Sequence, residues 1–175
     1  SNDNGRTWSE AIRLADGVLG PIKNKPVLLD NGRLISPSST ENNGWRVHFE
    51  ISEDMGKTWR IVGPIDSVAK FNVIQPSILI HNDGRLQILC RSKEKRIISS
   101  WSNDKGESWS PLKATALPNP NSGIDAVTLA DGLHLLVYNH SEKVAGKSGG
   151  SRTPLNVAIS RDGENWTPAI TLENV

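Results

Sequence analysis

SNDNGRTW at residues 1–8, SEDMGKTW at 52–59, SNDKGESW at 102–109 and a shortened SRDGENW at 160–166 are four copies of one motif. The shared pattern is S-x-D-x-G-x-[TS]-W. The copies start at residues 1, 52, 102 and 160, so the intervals are 51, 50 and 58 residues. Each box suits a tight turn: Asp3, Asp54 and Asp104 are placed to accept backbone N–H groups two residues on, and the Gly after them supplies positive φ. The Trp then anchors the turn by packing. The longer last interval holds a polar, Gly/Ser-rich stretch at 140–150, which reads as an insertion at a hairpin tip.

Between the boxes a second signal recurs: VLLDNGRLISPSS from Val27, ILIHNDGRLQILCRS from Ile78 and VTLADGLHLLVYN from Val127. Apolar runs on either side of Asn-Gly or Asp-Gly predict a β-hairpin. A third run leads into each box (WRVHFEIS, RIISSWS, TPLNVAIS) and a fourth follows it (RIVGPI, SPLKATAL, TPAITL). Each unit is thus a four-stranded meander, and no stretch sustains helical spacing with a cap. One small sheet cannot bury both its faces, so units repeating at this length pack round an axis as the blades of a β-propeller. A β-sandwich holds as many strands but does not generate the period. The expectation is therefore an all-β, single partial propeller domain over 1–175. It comprises the end of one blade at about 1–20 and units at 21–66, 67–118 and 119–175. That is three to four blades, about half of a six-bladed ring in a longer parent chain whose further blades cover the open faces.

Composition agrees with a globular class, at 36% hydrophobic and 22% charged residues. A net charge of +1 without a basic block gives no electrostatic basis for a nucleic-acid or anionic-lipid partner. The longest apolar runs, such as residues 133–138, are far short of the roughly 18–20 residues of a membrane span. Residue 1 already lies inside a box, so no targeting segment is in view. The one cysteine, Cys90, excludes an internal disulfide, and the four histidines show no ligand spacing, so no metal or cofactor is expected. Six Trp against two Phe and one Tyr is the imprint of the repeat.

The meander also predicts where function sits. In an up-and-down blade the turn between strands 1 and 2 and the turn between strands 3 and 4 share one face of the ring. The Asp-Gly hairpins and the boxes are then co-facial, and the aspartates of the boxes are engaged in turns. The opposite face collects the start of strand 1 (Lys25, Gln75, Asp125), the end of strand 2 (Ser39, Arg91, Asn139) and the start of strand 3 (Arg46, Arg96, Arg152). An arginine there requires an anion or carbonyl partner, because burying its charge alone is costly. Glu41 projects toward the same face. Tyr138, one residue before a site position, turns to the other sheet face by alternation and is expected to pack. Trp45 and Trp101 are expected to pack between blades.

The boxes, with QPSILIHNDGRLQILCRS and NPNSGIDAVTLADGLHLLVYN, resemble the BNR/Asp-box family, whose best-known members are exo-sialidases. The resemblance covers essentially the whole chain. It implies a six-bladed propeller that cleaves terminal sialic acid with retention, using a Tyr nucleophile assisted by a Glu, an Asp acid/base and three carboxylate-binding Arg. The family pattern E-P-S-[IV]-V-x-L-x-D-G-R-L-x-x-x-x-R aligns with residues 75–91 here, so Arg91 matches the second arginine and Arg152 the third. Gln75 stands in place of the assisting Glu, and a neutral amide cannot accept the phenol proton. The Tyr, the first Arg and the acid/base Asp are expected outside residues 1–175, so these residues alone are expected to be inactive. Asp125 and Glu41 are the candidate catalytic carboxylates. Arg91, Arg152, Gln75, Asp125 and Asn139 are the candidate substrate-binding residues, without a metal. The implied protein is a secreted or periplasmic glycosidase acting on terminal acidic sugars. The alternatives are a non-catalytic glycan-binding propeller and a glycosidase or lyase for another acidic sugar, such as a uronic acid.

Overall fold

The structure, a computed structural model, describes residues 1–65 and 71–174. Its twelve strands form three four-stranded antiparallel sheets in simple meander order. The first blade holds β1 (Val27–Leu28), β2 (Leu34–Thr40), β3 (Arg46–Ser52) and β4 (Arg60–Val62). In the second are β5 (Val73–Ile80), β6 (Leu86–Ser92), β7 (Arg96–Ser102) and β8 (Lys113–Pro118). The third contains β9 (Asp125–Thr128), β10 (His134–Asn139), β11 (Leu155–Ser160) and β12 (Thr167–Glu173). These are the all-β propeller blades that the period predicts. The expected boundary at 66–67 lies outside the described residues. Residues 1–8 form a box turn, although no strand is assigned among residues 1–26.

Two apolar cores explain why the blades stack. Ile35, Val47, Phe49 and Ile51 of the first blade meet Ile78, Leu86, Ile88, Cys90 and Ile98 of the second. The alternate residues of the second blade, Leu79, Leu89 and Ile97, face Ala126, Leu136, Tyr138 and Ala158 of the third. The middle blade is buried on both faces, which is why its strands read as nearly continuous apolar runs. Tyr138 packs in this second core, 2% exposed. Cys90 is fully buried, and that burial pushes its thiol pKa up, out of reach of redox or metal chemistry.

Each hairpin turn closes in the same way. Gly32 N–H donates to Leu29 O, Gly84 to His81 O and Gly132 to Leu129 O, each at 2.9 Å. The glycine follows in the left-handed region (φ 80–83°), forming the bulge that completes a three-residue loop.

The boxes are built more elaborately than the sequence reading expects. Asp54 accepts not two residues on but three and four, from Lys57 N (3.0 Å) and Thr58 N (2.8 Å), and also from the Thr58 hydroxyl (2.6 Å). Only the shortened fourth box bonds two residues on, from Glu164 N to Asp162 Oδ1 at 2.9 Å. Each box also has a serine, such as Ser52, whose Oγ accepts from Gly56 N at 2.7 Å. The Trp of the second blade's box, Trp109, stacks on Phe49 of the first blade with ring centroids 4.3 Å apart. The boxes are therefore inter-blade staples as well as turns. Hairpins and boxes do share a face: Arg33, beside the first hairpin, pairs with Glu53 (2.7 Å) and Glu107 (2.8 Å) in two successive boxes.

Candidate functional site

The opposite face gathers most of the polar residues singled out above. Arg91, next to last in β6, is half-buried, and its guanidinium lies 5.1 Å from the Trp45 ring centroid. Lys93 Nζ lies 4.4 Å from the same ring. Trp45 itself is 8% exposed and precedes β3 rather than lying within it. Arg91 Nε donates to Asn121 Oδ1 at 2.9 Å, and its Nη1 donates to Gln75 Oε1 at 3.4 Å. Both acceptors are neutral. Two guanidinium nitrogens thus orient the group, while Nη2 has no protein acceptor and the charge no carboxylate partner among the described residues. Burial and then the repulsion of Arg152 lower the Arg91 pKa, against the weaker attraction of Glu41, which raises it. That repulsion places Arg152, exposed ahead of β11, in electrostatic range of Arg91, with Glu41, just past β2, on the same side.

Gln75 owes its position to a break in β5. The pairing of β5 with β6 shifts between Ile74 and Ser77, and Gln75 sits there at φ 56°. A non-glycine residue in the left-handed region stores backbone strain of about 1–2 kcal/mol, which a fold retains only where the surroundings hold it. Here Pro76 follows, and Gln75 N–H donates to Ser39 Oγ of the neighbouring blade at 3.4 Å. The bulge turns the amide toward Arg91.

Asp125 opens β9 and faces inward. It accepts from Lys25 Nζ at 2.5 Å, from Ser77 Oγ at 3.3 Å and from Asn24 Nδ2 at 3.4 Å. Burial works to raise its pKa, but the hydrogen bond and charge of Lys25, with Lys23, hold it below the ordinary value. Asp125 is thus ionised and paired across the blades. Lys23 reaches the Ile124 carbonyl at 2.5 Å, and burial chiefly lowers its pKa. Asn139 is 5% exposed, and its amide donates to the carbonyls of Arg152 and Pro154, the latter at 3.2 Å. It holds the backbone that carries Arg152. Arg96 pairs with Glu142 at 2.7 Å, and Arg46 turns back onto its neighbour's carbonyl, Trp45 O, at 2.8 Å. No group of His, Cys, Asp and Glu fit to hold a metal ion occurs among the described residues.

Two participants escape the repeat pattern. Asn121 lies in the 119–122 turn between blades, and Lys23 precedes β1. Neither position recurs in register with the hairpins, although an Asn beside Pro120 in NPNSG marks a turn able to adopt positive φ.

The BNR repeat-like domain matches residues 1–175. The chain belongs to the BNR repeat-like family. Solved structures that it resembles include a Hadza microbial sialidase, at 21% identity and a TM-score of 0.78 over 100% of this chain and 36% of that one. A Dyadobacter fermentans protein of unknown function follows at 18% and 0.74, covering 99% of this chain and 51% of that chain. The Trypanosoma rangeli sialidase aligns at 19% and 0.66, over 85% and 25% respectively. This BNR repeat-like chain thus spans about half or less of the length of these structures, and at such identities the likeness shows the fold alone. A comparison with curated proteins gave no match. Among the described residues no helix is long and apolar enough to cross a membrane.

Proposed function

We propose that this BNR repeat-like propeller acts as a sialidase-like glycoside hydrolase on terminal acidic sugars of glycans, with Arg91 and Arg152 gripping the sugar carboxylate. The observation that carries the reading is the half-buried Arg91, oriented by two neutral amides and left without a carboxylate partner among the described residues. A guanidinium held in this way offers its free edge to a planar anion. Sialidases among the similar folds support the same substrate class. Asp125 and Glu41 are the candidate catalytic carboxylates on this face, Asp125 paired with Lys25, and Gln75 serves as a hydrogen-bonding and orienting group. Asn139 assists by holding the Arg152 backbone. A secreted or periplasmic location, where such glycans occur, is part of the proposal.

The test is release of free sugar from sialyl-lactose by the full-length protein. Arg91→Ala is expected to lower turnover by about a hundredfold, since removing one partner of a desolvated charged pair typically loses 2–5 kcal/mol. Unchanged turnover would refute the assignment of Arg91. Gln75 favours a second reading: without a carboxylate to assist a Tyr, the same site serves as a glycan-binding module. Binding of sialyl-lactose without release selects that reading, and release of a uronic acid instead, identified by mass spectrometry, selects another acidic sugar.

A further inference from the structure

Asn121 is buried, 8% exposed, and adopts φ 65° at the end of a turn that links the second and third blades. Its backbone is locked there: Asn121 N–H donates to Asn119 Oδ1 at 3.0 Å, and Asn119 Nδ2 donates to Ser122 O at 3.1 Å. Its side chain is engaged at both ends. Oδ1 accepts from Arg91 Nε at 2.9 Å, while Nδ2 donates to Ser148 O at 2.6 Å in the inserted 140–150 segment. The insertion is seated on the same turn and on the second blade. Gly150 N–H donates to Pro120 O at 2.8 Å, and Glu142 pairs with Arg96 at 2.7 Å. A Cβ at Gly150 would collide with the backbone of Glu142, so the seat admits only glycine. Arg152 follows two residues later.

We propose that Asn121 is a positioning residue that couples the orientation of Arg91 to the seating of the 140–150 insertion, so that the insertion sets how tightly the site holds a carboxylate sugar. This rests on the reading of Arg91 given under the proposed function. An amide turned by movement of Ser148 carries its oxygen with it, and Arg91 Nε follows that oxygen. A carboxylate in its place could accept from Arg91 but could not donate to Ser148 O, and an aliphatic side chain could do neither. The amide is the side chain that links the two.

The experiment uses the full-length protein and N-acetylneuraminic acid, with affinity measured by calorimetry. Asn121→Gly, which keeps the backbone conformation, is expected to weaken binding about tenfold, the loss of one hydrogen bond to a charged group. Glu142→Gln, which loosens the insertion at an exposed pair, is expected to weaken binding in the wild type and to have no further effect in Asn121→Gly. Additive losses, or an Asn121→Gly variant that binds as the wild type does, would overturn the coupling. If the wild type binds no acidic sugar, the functional reading fails by itself, and amide exchange still tests the coupling. Arg91→Lys is then expected to speed exchange at Gly150, whose N–H is held by Pro120 O, and an unchanged rate overturns the proposal.

Discussion

Lowering the pH from 7.5 to 4 is expected to weaken the seam between the second and third blades by about 3 kcal/mol. The seam is a chain of hydrogen bonds on the box face. Gln87 Nε2 donates to Gly163 O at 2.9 Å, which turns Gln87 Oε1 toward His81 Nε2, 3.1 Å away. His81 must therefore carry its proton on Nε2, leaving Nδ1 bare to accept from His134 Nε2 at 3.2 Å. His134 Nδ1 is bare in turn and accepts from the Thr128 hydroxyl at 2.9 Å, whose oxygen accepts from Ile80 N at 3.2 Å. The carbonyl of Gly163 thus dictates one proton pattern with both rings neutral. An added proton on His81 Nδ1 sets two N–H groups against each other, and one on His134 Nδ1 reverses its bond with the Thr128 hydroxyl. Burial, with repulsion from His81, lowers the His134 pKa from 6.5 to about 4, and burial lowers His81 as well. Asp162 opposes the fall at both rings, as Asp83 does at His81, whereas Arg85 adds to it there. A depressed histidine stabilises the fold through its neutral form. That stability is whole above the unfolded value of 6.5 and is lost as pH falls toward 4, and the interval corresponds to about 3 kcal/mol at about 1.4 kcal/mol per pH unit. His134→Gln removes the titration while retaining a donor toward His81. The assay is urea unfolding of both proteins at half-unit pH steps. The stability difference between wild type and variant should shrink by about 3 kcal/mol between pH 7.5 and 4, and a difference independent of pH would refute the proton pattern.

Phe49→Ala is expected to lower stability by about 3–5 kcal/mol, because it empties a fully buried site and unstacks Trp109 from the neighbouring blade; chemical denaturation measures it. Gln75→Gly relieves the left-handed strain and is expected to raise stability by about 1 kcal/mol while weakening acidic-sugar binding, because the Nη1 bond of Arg91 is lost. Paired calorimetry and unfolding runs separate the two effects. Asp54, held by Thr58 and Ser52, has its pKa lowered to about 2. The turn's contribution is then whole above the ordinary 3.8 and lost only as pH falls through about 2. A carboxyl titration followed by NMR should show that midpoint, and Asp54→Ala should lower the thermal midpoint without changing sugar binding.

The fold was legible because its determinants are local and repeated. A box closes within seven or eight residues, a hairpin within five, and each recurs at the period of a blade. Even the inter-blade packing leaves a trace: Ile78, Leu79, Leu86, Ile88 and Leu89 lie in nearly continuous apolar runs because both faces of the second blade are buried. The box geometry was legible only in outline. Whether an aspartate bonds two residues on or four depends on the left-handed residue between Asp and Gly, Met55 at φ 59° and Lys105 at φ 58°, and neither side chain announces that conformation.

The site was legible by face but not by contact. Strand alternation and the position of the boxes suffice to bring Gln75, Arg91 and Asp125 to one side of the sheets. What each of them touches there depends on residues remote in sequence. Arg91 meets Asn121 thirty residues on, and Asp125 pairs with Lys25 a hundred residues earlier. The two partnerships have different consequences. Asp125 is neutralised by a lysine, so a reaction needing it as a free base must first displace Lys25. Arg91 is oriented by groups that leave its charge intact. Replacing Gln75 by Glu inverts this: a carboxylate 3.4 Å from Nη1 would pair with Arg91 in the absence of ligand. Gln75→Glu is therefore expected to weaken binding of N-acetylneuraminic acid by about tenfold, because the sugar carboxylate must then compete with an internal one. Calorimetry on the full-length protein measures the change. Affinity equal to or above that of the wild type would show that Arg91 does not bind the sugar through its unpaired charge.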